Sequence, residues 1–264
     1  MSRAAAGKLG SDKLLQRSLV RGCRMEVCVI GVWLGGWTSQ ASESLVPEAV
    51  LAQAKEAADR VRDSLSKIPA FVTKEDYPYI QAVIPRVFSD PGTGLVSVRA
   101  AEEIVQNMKA LSGNPGVRIG ITQGSCAAGI RGRDGPFIFI GRPPALCRLF
   151  AAERNRFGYT VLLDEETGRE ALTGRPVDYY RTPGFTGIKT LYGSLPRPEK
   201  EYPGRFDEIY QSALKALHIE NDTGRASDFF TECLGLVPAD EASSYFLERI
   251  GRGQVTMRAY RDLP

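Results

Sequence analysis

Apolar and polar positions alternate in blocks along this chain, and the blocks change period several times. MEVCVIGVW (25–33) is a β-branched apolar run of strand length, broken by Gly35 and Gly36. Residues 47–67 open on Pro47 and repeat Val50, Leu51, Ala54, Ala58, Val61 and Leu65 at helical spacing, which predicts an amphipathic helix. Strand patterns near 70–74 and 79–88 predict a hairpin, and DPGTG (90–94) reads as a turn. A second amphipathic helix is expected over 96–111, ending at Ser112-Gly113. Strand 117–122, a glycine loop, strand 136–140 and a helix over 143–157, capped by Phe157-Gly158, come next. YTVLLDEET (159–167) predicts a strand and a short helix, its acidic run Asp164-Glu165-Glu166 reading as a solvated strand end. VDYY (177–180) and IKTLYG (188–193) read as closing strands.

The order β-α-β-β-α-β, with elements appended, predicts an α+β, ferredoxin-like sheet with helices on one face. The two ends differ from this middle. Residues 1–24 carry Arg3, Lys8, Lys13, Arg17, Arg21 and Arg24 against Asp12 alone. Leu14, Leu15, Leu19 and Val20 can share one helical face, with Lys13, Arg17 and Arg21 on another. That pattern suits a mitochondrial presequence or a basic arm that docks on a partner. Alone in water such a segment is expected to be disordered. Residues 252–264 show no periodicity that would fold them locally.

Composition narrows the function classes. Hydrophobic residues make up 43% and charged residues 25%, ordinary for a soluble globular protein. A net charge of +3 is too small to argue for nucleic acid. No apolar run reaches the ~18 residues of a membrane span. An intracellular, soluble protein is expected, with mitochondrial and cytoplasmic or cytoskeletal placement both open. The five cysteines lie scattered without a C-x-x-C pair, which suits a reducing compartment and offers no metal spacing. The single histidine, His218, falls on a predicted helix and reads as a packing or surface residue. Ser-His-Asp chemistry would have to use it as the base.

Residues 117–141, VRIGITQGSCAAGIRGRDGPFIFIG, bring in a family. Arg118, Ile119, Gly120, Ile121, Gly124, Ala128, Gly129 and Gly141 resemble the glycine-punctuated strand-turn-strand segment of class III adenylate/guanylate cyclase catalytic domains. CVIGVWLGGWTS (28–39) is similar to that family's first strand, with Gly36, Trp37, Thr38 and Ser39 matching its Gly-Phe-Thr-Ser end. The resemblance implies a class III cyclase fold. It also implies where the family's chemistry would fall. The first metal-binding Asp falls on Trp33, which has no lone pair to offer a cation. Counting back from Phe88 puts the second on Ala82 and the purine-selecting Lys on Pro78; a shifted hairpin offers Glu75 or Asp76 instead. The family's Asn falls on Ala145 and its transition-state Arg on Leu149. Arg148 is one position away, about 100° around a helix.

RFDEIYQSALKAL, DTGRASDFFTECLGLVPAD and EASSYFLERI, within 205–250, look like a tetratricopeptide-type tail, through Tyr210, Ala213, Leu214, Ala226, Phe230, Cys233, Leu234 and Pro238. A plain helical hairpin covering a sheet edge is the alternative.

The expected organisation is therefore a basic arm or presequence-like segment (1–24), a cyclase-like α+β domain (25–196), a tetratricopeptide-like helical hairpin (204–251) and a tail (252–264). The expected function is a non-catalytic cyclase-fold subunit, a pseudo-cyclase and not an enzyme, acting as a structural or interaction module of a larger assembly. It would have no cofactor, no metal and no nucleic acid. Its partners would be other protein subunits, with a heterologous contact at the cyclase-type dimer face. The alternative is a nucleotide-binding inactive regulator, or partner of an active cyclase, using Arg131, Arg133 or Arg142 on phosphates. An active enzyme with unorthodox ligands, using Asp164, Glu165 and Glu166, is a third reading.

Overall fold

The computed structural model describes residues 3–35, 47–89, 92–111, 116–131, 136–153, 156–182, 187–194 and 204–259. Strand β1 (Cys23–Trp33) lies between β3 (Tyr79–Pro85) and β4 (Arg118–Ile130), antiparallel to both. β2 (Phe71–Asp76) pairs with β3 at one edge. Beyond β4 come β6 (Val161–Leu163), parallel to it, then β8 (Lys189–Ser194), β7 (Arg175–Arg181) and β9 (Arg258–Ala259). β5 (Phe137–Ile140) pairs with the last residues of β4. The α+β expectation holds.

Alternation along β1 splits the core in two. Cys28, Ile30, Val32 and Leu34 face α3 (Pro47–Ser66) and α4 (Thr93–Lys109), which bury Ala57, Val61, Leu65, Ala101, Ile104 and Met108 against them. Val27 and Val29 point the other way, among Ala5 and Leu9 of α1 (Arg3–Ser11) and Leu19 of α2 (Lys13–Arg21). α5 (Arg142–Ala152) crosses this second face. Beside it α7 (Gly204–Lys215), α8 (Thr223–Leu236) and α9 (Glu241–Gly251) bury Tyr210, Phe230 and Phe246 against Phe150, Val177 and Leu191. Helices thus cover both faces of the sheet, where one was expected. The continuous apolar run of β1 carries the reason, because a strand buried on both sides has no polar alternation.

α5 approaches the sheet closely because two glycines face each other beneath it. Gly31 and Gly120 are register partners. A methyl group on Gly120 would overlap the Cys147 carbonyl and lie 2.8 Å from the Phe150 Cβ. The helix stops at Ala152, short of the expected 157, since Glu153 turns extended (φ −60°, ψ 130°). The Arg118 guanidinium donates to the Ala152 and Glu153 carbonyls at 3.4 and 3.1 Å, satisfying that end.

Both ends depart from expectation. α1 and α2 are packed helices, but Leu14 and Val20 are 75% and 61% exposed, so the buried face of α2 is narrower than the leucines suggested. The C-terminal helices number three where a hairpin was expected. Residues 258–259 of the tail form β9, parallel to β7. His218 sits on a π-helical turn (Ala216–Glu220) with its Nε2 3.0 Å from Asp178 Oδ1, both side chains fully buried.

Arg175 ties the C-terminal helices to β7. It donates to Asp240 at 2.9 and 3.4 Å and to the Tyr159 hydroxyl at 3.3 Å, and its guanidinium lies 4.0 and 4.4 Å from the Tyr210 and Phe206 rings. Asp240 also caps α9, accepting from Ser243 N at 2.8 Å. Burial alone would raise the Asp240 carboxyl, but hydrogen bonds and charge from Arg175 bring it below its ordinary range.

Candidate functional site

The sequence-derived site residues gather, in part, at the C-terminal end of β1. Trp33 is half-buried there and pairs with Tyr79 and Arg118 on the two neighbouring strands. Its ring centroid lies 6.4 Å from that of Tyr79 and 5.8 Å from the Arg118 guanidinium, and its indole packs over Gly35. Arg148, on α5, places its guanidinium 5.7 Å from the Tyr79 ring. Tyr79 donates from its hydroxyl to Gln81 Oε1 at 3.0 Å. Burial pushes that hydroxyl far above its usual range, so it stays a neutral donor. At the position where the resemblance puts a metal-binding carboxylate, the Trp33 ring therefore meets the Arg118 guanidinium and the Tyr79 ring, which in turn lies beside Arg148. That donor set stacks rings and accepts anions; it does not fit a divalent cation, which needs oxygen ligands. Among the described residues no three His, Cys, Asp or Glu side chains come together as a metal site.

Ala82 does not join this group. It pairs with Ile30 and is buried among the residues facing α3 and α4, on the sheet face opposite Trp33. β3 ends at Pro85 and a 3₁₀ turn (Arg86–Phe88) follows, so counting back from Phe88 crosses a change of period. The hairpin turn at Tyr77-Pro78, beside the Asp76–Tyr79 pair, is the part of β2–β3 nearest Trp33 in register. Glu75 is exposed and bridges to Arg62 at 3.2 Å. Ala145 and Leu149 are half-buried one turn apart on α5.

The phosphate candidates are dispersed. Arg131 is exposed and Arg133 lies outside the described residues. Arg142, at the start of α5, points at Glu166 with 3.9 Å between Nη2 and Oε1. The acidic run is not a solvated strand end. Asp164 is buried and accepts from Gln123 N at 2.8 Å and Thr167 N at 2.9 Å, capping α6 (Glu165–Ala171). Burial raises its carboxyl to about 6 despite those bonds. Glu165, also buried, meets Arg169, and Lys189 at 3.8 Å. Sequence reasoning missed the Arg175–Asp240 and His218–Asp178 pairs, whose partners lie 65 and 40 residues apart with no local motif.

The long β4 has β1 and β3 on one side and a parallel β6 on the other, and the whole fold superposes on solved cyclase structures. The fold is that of the nucleotidyl cyclase catalytic domain. The adenylyl cyclase CyaB from P. aeruginosa superposes with a TM-score of 0.56 at 19% identity, covering 68% of this chain and 98% of that one. The guanylyl cyclase Cya2 gives 0.53 at 16% identity, over 68% and 97%. A dimeric guanylyl cyclase domain of the RhoGC fusion protein from the aquatic fungus Blastocladiella emersonii gives 0.53 at 15%, over 66% and 98%. These neighbours are class III cyclase catalytic domains. No family model matches the sequence, and no curated protein is similar to it.

This comparison corrects one expectation. The chain was expected not to be an enzyme, yet solved structures with its fold include adenylyl and guanylyl cyclases. At such identities the likeness shows the cyclase fold and leaves the chemistry of this chain to its own residues. No helix among the described residues is long and apolar enough to cross a membrane.

Proposed function

We propose that this cyclase-fold chain is a subunit of a larger protein assembly, held by contacts on its open sheet edge and its basic N-terminal helices. One observation carries the reading. β5 has β4 as its one strand neighbour among the described residues and leaves Ile140 68% exposed, with Ile138 beside it. A strand edge with unpaired N–H and C=O groups and outward apolar side chains is a template for another chain. A heterologous subunit is the proposed partner there. The aromatic and cationic group around Trp33, in place of a carboxylate, supports a surface shaped for protein contacts, since Arg and Trp are favoured at interface centres. The tetratricopeptide-like character of 204–251 belongs to the same proposal, as does the division at 25–196.

The experiment is native purification of the full chain carrying an internal tag outside the described helices, followed by mass spectrometry and sizing. Stoichiometric partners that dissociate on Ile138→Lys/Ile140→Lys substitution support the reading. A lone monomer at the concentration found in cells overturns it.

A further inference from the structure

The exposed side of α2 is chemically uniform in a way the fold does not require. Lys13, Arg17, Arg21, Leu14 and Val20 occupy a single arc of the helix, opposite the half-buried Leu15 and the buried Leu19. All five are exposed, and Lys13, Arg17 and Arg21 form no ion pair or hydrogen bond among the described residues. Asp12, the acidic residue at this end, is already engaged as the cap of α2, accepting from Leu15 N at 2.9 Å. Three cations spaced by four residues repel one another, and that repulsion is relieved by an anionic partner.

The row runs into a groove. Arg21 borders a concavity of about 600 Å³ lined also by Arg24, Ser125, Ala127, Ile140 and Gly141. Arg24 is exposed and held in place by its Nε donating to Ser125 Oγ at 2.5 Å. Glu26, two residues further along β1, is the register partner of Ser125. Ile140 supplies an apolar floor beside the cations. Two occupants are to be compared. A bilayer surface would meet the outward arc of α2, which carries Lys13, Leu14, Arg17, Val20 and Arg21. An extended or helical peptide reaches both that arc and the groove.

We infer that the α2 face and the groove at its end receive an acidic segment of a partner protein, with carboxylates on Arg17, Arg21 and Arg24 and an apolar side chain on Ile140. The inference rests on the assembly reading above and specifies the chemistry of one contact. Charge complementarity carries it: among the described residues Lys13, Arg17, Arg21 and Arg24 stand against Glu26 and the capping Asp12, around an exposed apolar residue.

The test uses the full chain and a labelled synthetic peptide of alternating Glu and Leu, read by fluorescence anisotropy. A Gln-for-Glu peptide and phosphatidylcholine vesicles with and without phosphatidylserine are run beside it. The Glu/Leu peptide should bind, weaken steeply with added salt, and lose at least about tenfold in affinity on Arg17→Glu/Arg21→Glu. Ile140→Ser should weaken it by about threefold without altering its salt dependence. These positions are exposed, so circular dichroism should be unchanged. Equal binding of the Gln peptide, binding indifferent to the charge reversals, or binding to phosphatidylserine vesicles without binding to the peptide each overturn the proposal. If the reversed variant keeps all its co-purifying subunits, the groove assignment fails while the assembly reading stands. If wild type has no partners yet binds the peptide, the reverse holds.

Discussion

Replacing Arg175 by methionine tests whether the C-terminal helices belong to the same cooperative unit as the sheet. The side chain is 4% exposed and faces Asp240, at 1%, so the substitution strands a buried carboxylate while filling most of the volume. Breaking a buried pair from one side costs about 3–5 kcal/mol. The lower end is expected, because Asp240 keeps the Ser243 N–H bond at 2.8 Å. In urea, with a slope of about 3 kcal/mol per M for a chain of this size, the midpoint should fall by about 1 M. The double variant Arg175→Met/Asp240→Asn removes the stranded charge and keeps a capping oxygen, so it should recover most of the loss. Unfolding should be followed by far-ultraviolet circular dichroism, which reports helices, and by tryptophan fluorescence, to which Trp33 contributes from the far end of β1. A shared cluster of buried side chains joins α7–α9 to β7 and α5, so both signals should shift together. The pair also sets an acid limit. The Asp240 carboxyl is lowered in the fold, so its contribution is present above about pH 4, the unfolded value, and disappears as pH falls through the lowered folded value. A single variant within 1 kcal/mol of wild type, or helix loss that leaves the tryptophan signal in place, would refute the reasoning.

Asp164 has the opposite sign. Its carboxyl is raised to about 6, so the folded state holds a proton that the unfolded state releases near 4, and this group makes the protein less stable as pH rises between those values. Asp164→Asn should therefore gain about 3 kcal/mol relative to wild type between pH 4 and pH 7; urea midpoints that differ by a constant amount would contradict it. Gly120→Ala should destabilise by about 2–3 kcal/mol, because the added methyl meets the backbone of α5, and a thermal midpoint unchanged within error would show that the helix can lift. Leu172, 92% exposed at φ 49° where α6 ends, should be better served by glycine. Leu172→Gly is expected to stabilise by about 0.5 kcal/mol in the same urea assay, and destabilisation would mean that the leucine packs in a way its exposure hides.

The strand and helix order from 25 to 194 was legible because each element carries its own period. Gly31 and Gly120 were visible as letters, but their pairing under α5 was not, since it joins residues 89 apart in sequence. The burial of Ala82 among the residues facing α3 and α4 was not legible, because a 3₁₀ turn separates Phe88 from the strand and interrupts its alternation. Leu14 and Val20 misled because apolar letters on a short helix say nothing of how wide a stripe its partner covers. Asp164 looked solvated because acidic runs usually are. Its role as a cap with two backbone donors depends on where β4 ends up. Arg175 and His218 had no local signal at all, as their partners come from other elements.

The pairing of β1 with β4 has a consequence in time. Cys23 bonds in register with Ala128, and Trp33 with Arg118, so about a hundred residues separate one side of the central ladder from the other. At about 5–20 residues per second, a ribosome delivers β4 some 5–20 s after β1. β3 arrives sooner and can shield one edge, since it pairs with Val27–Trp33. The other edge of an apolar, β-branched strand stays open throughout, in a chain where β5 has β4 as its one strand neighbour among the described residues. Synthesis of this protein should thus depend on a holdase acting early, and slowing translation between residues 35 and 118 should raise the aggregated fraction, whereas slowing it after 130 should not.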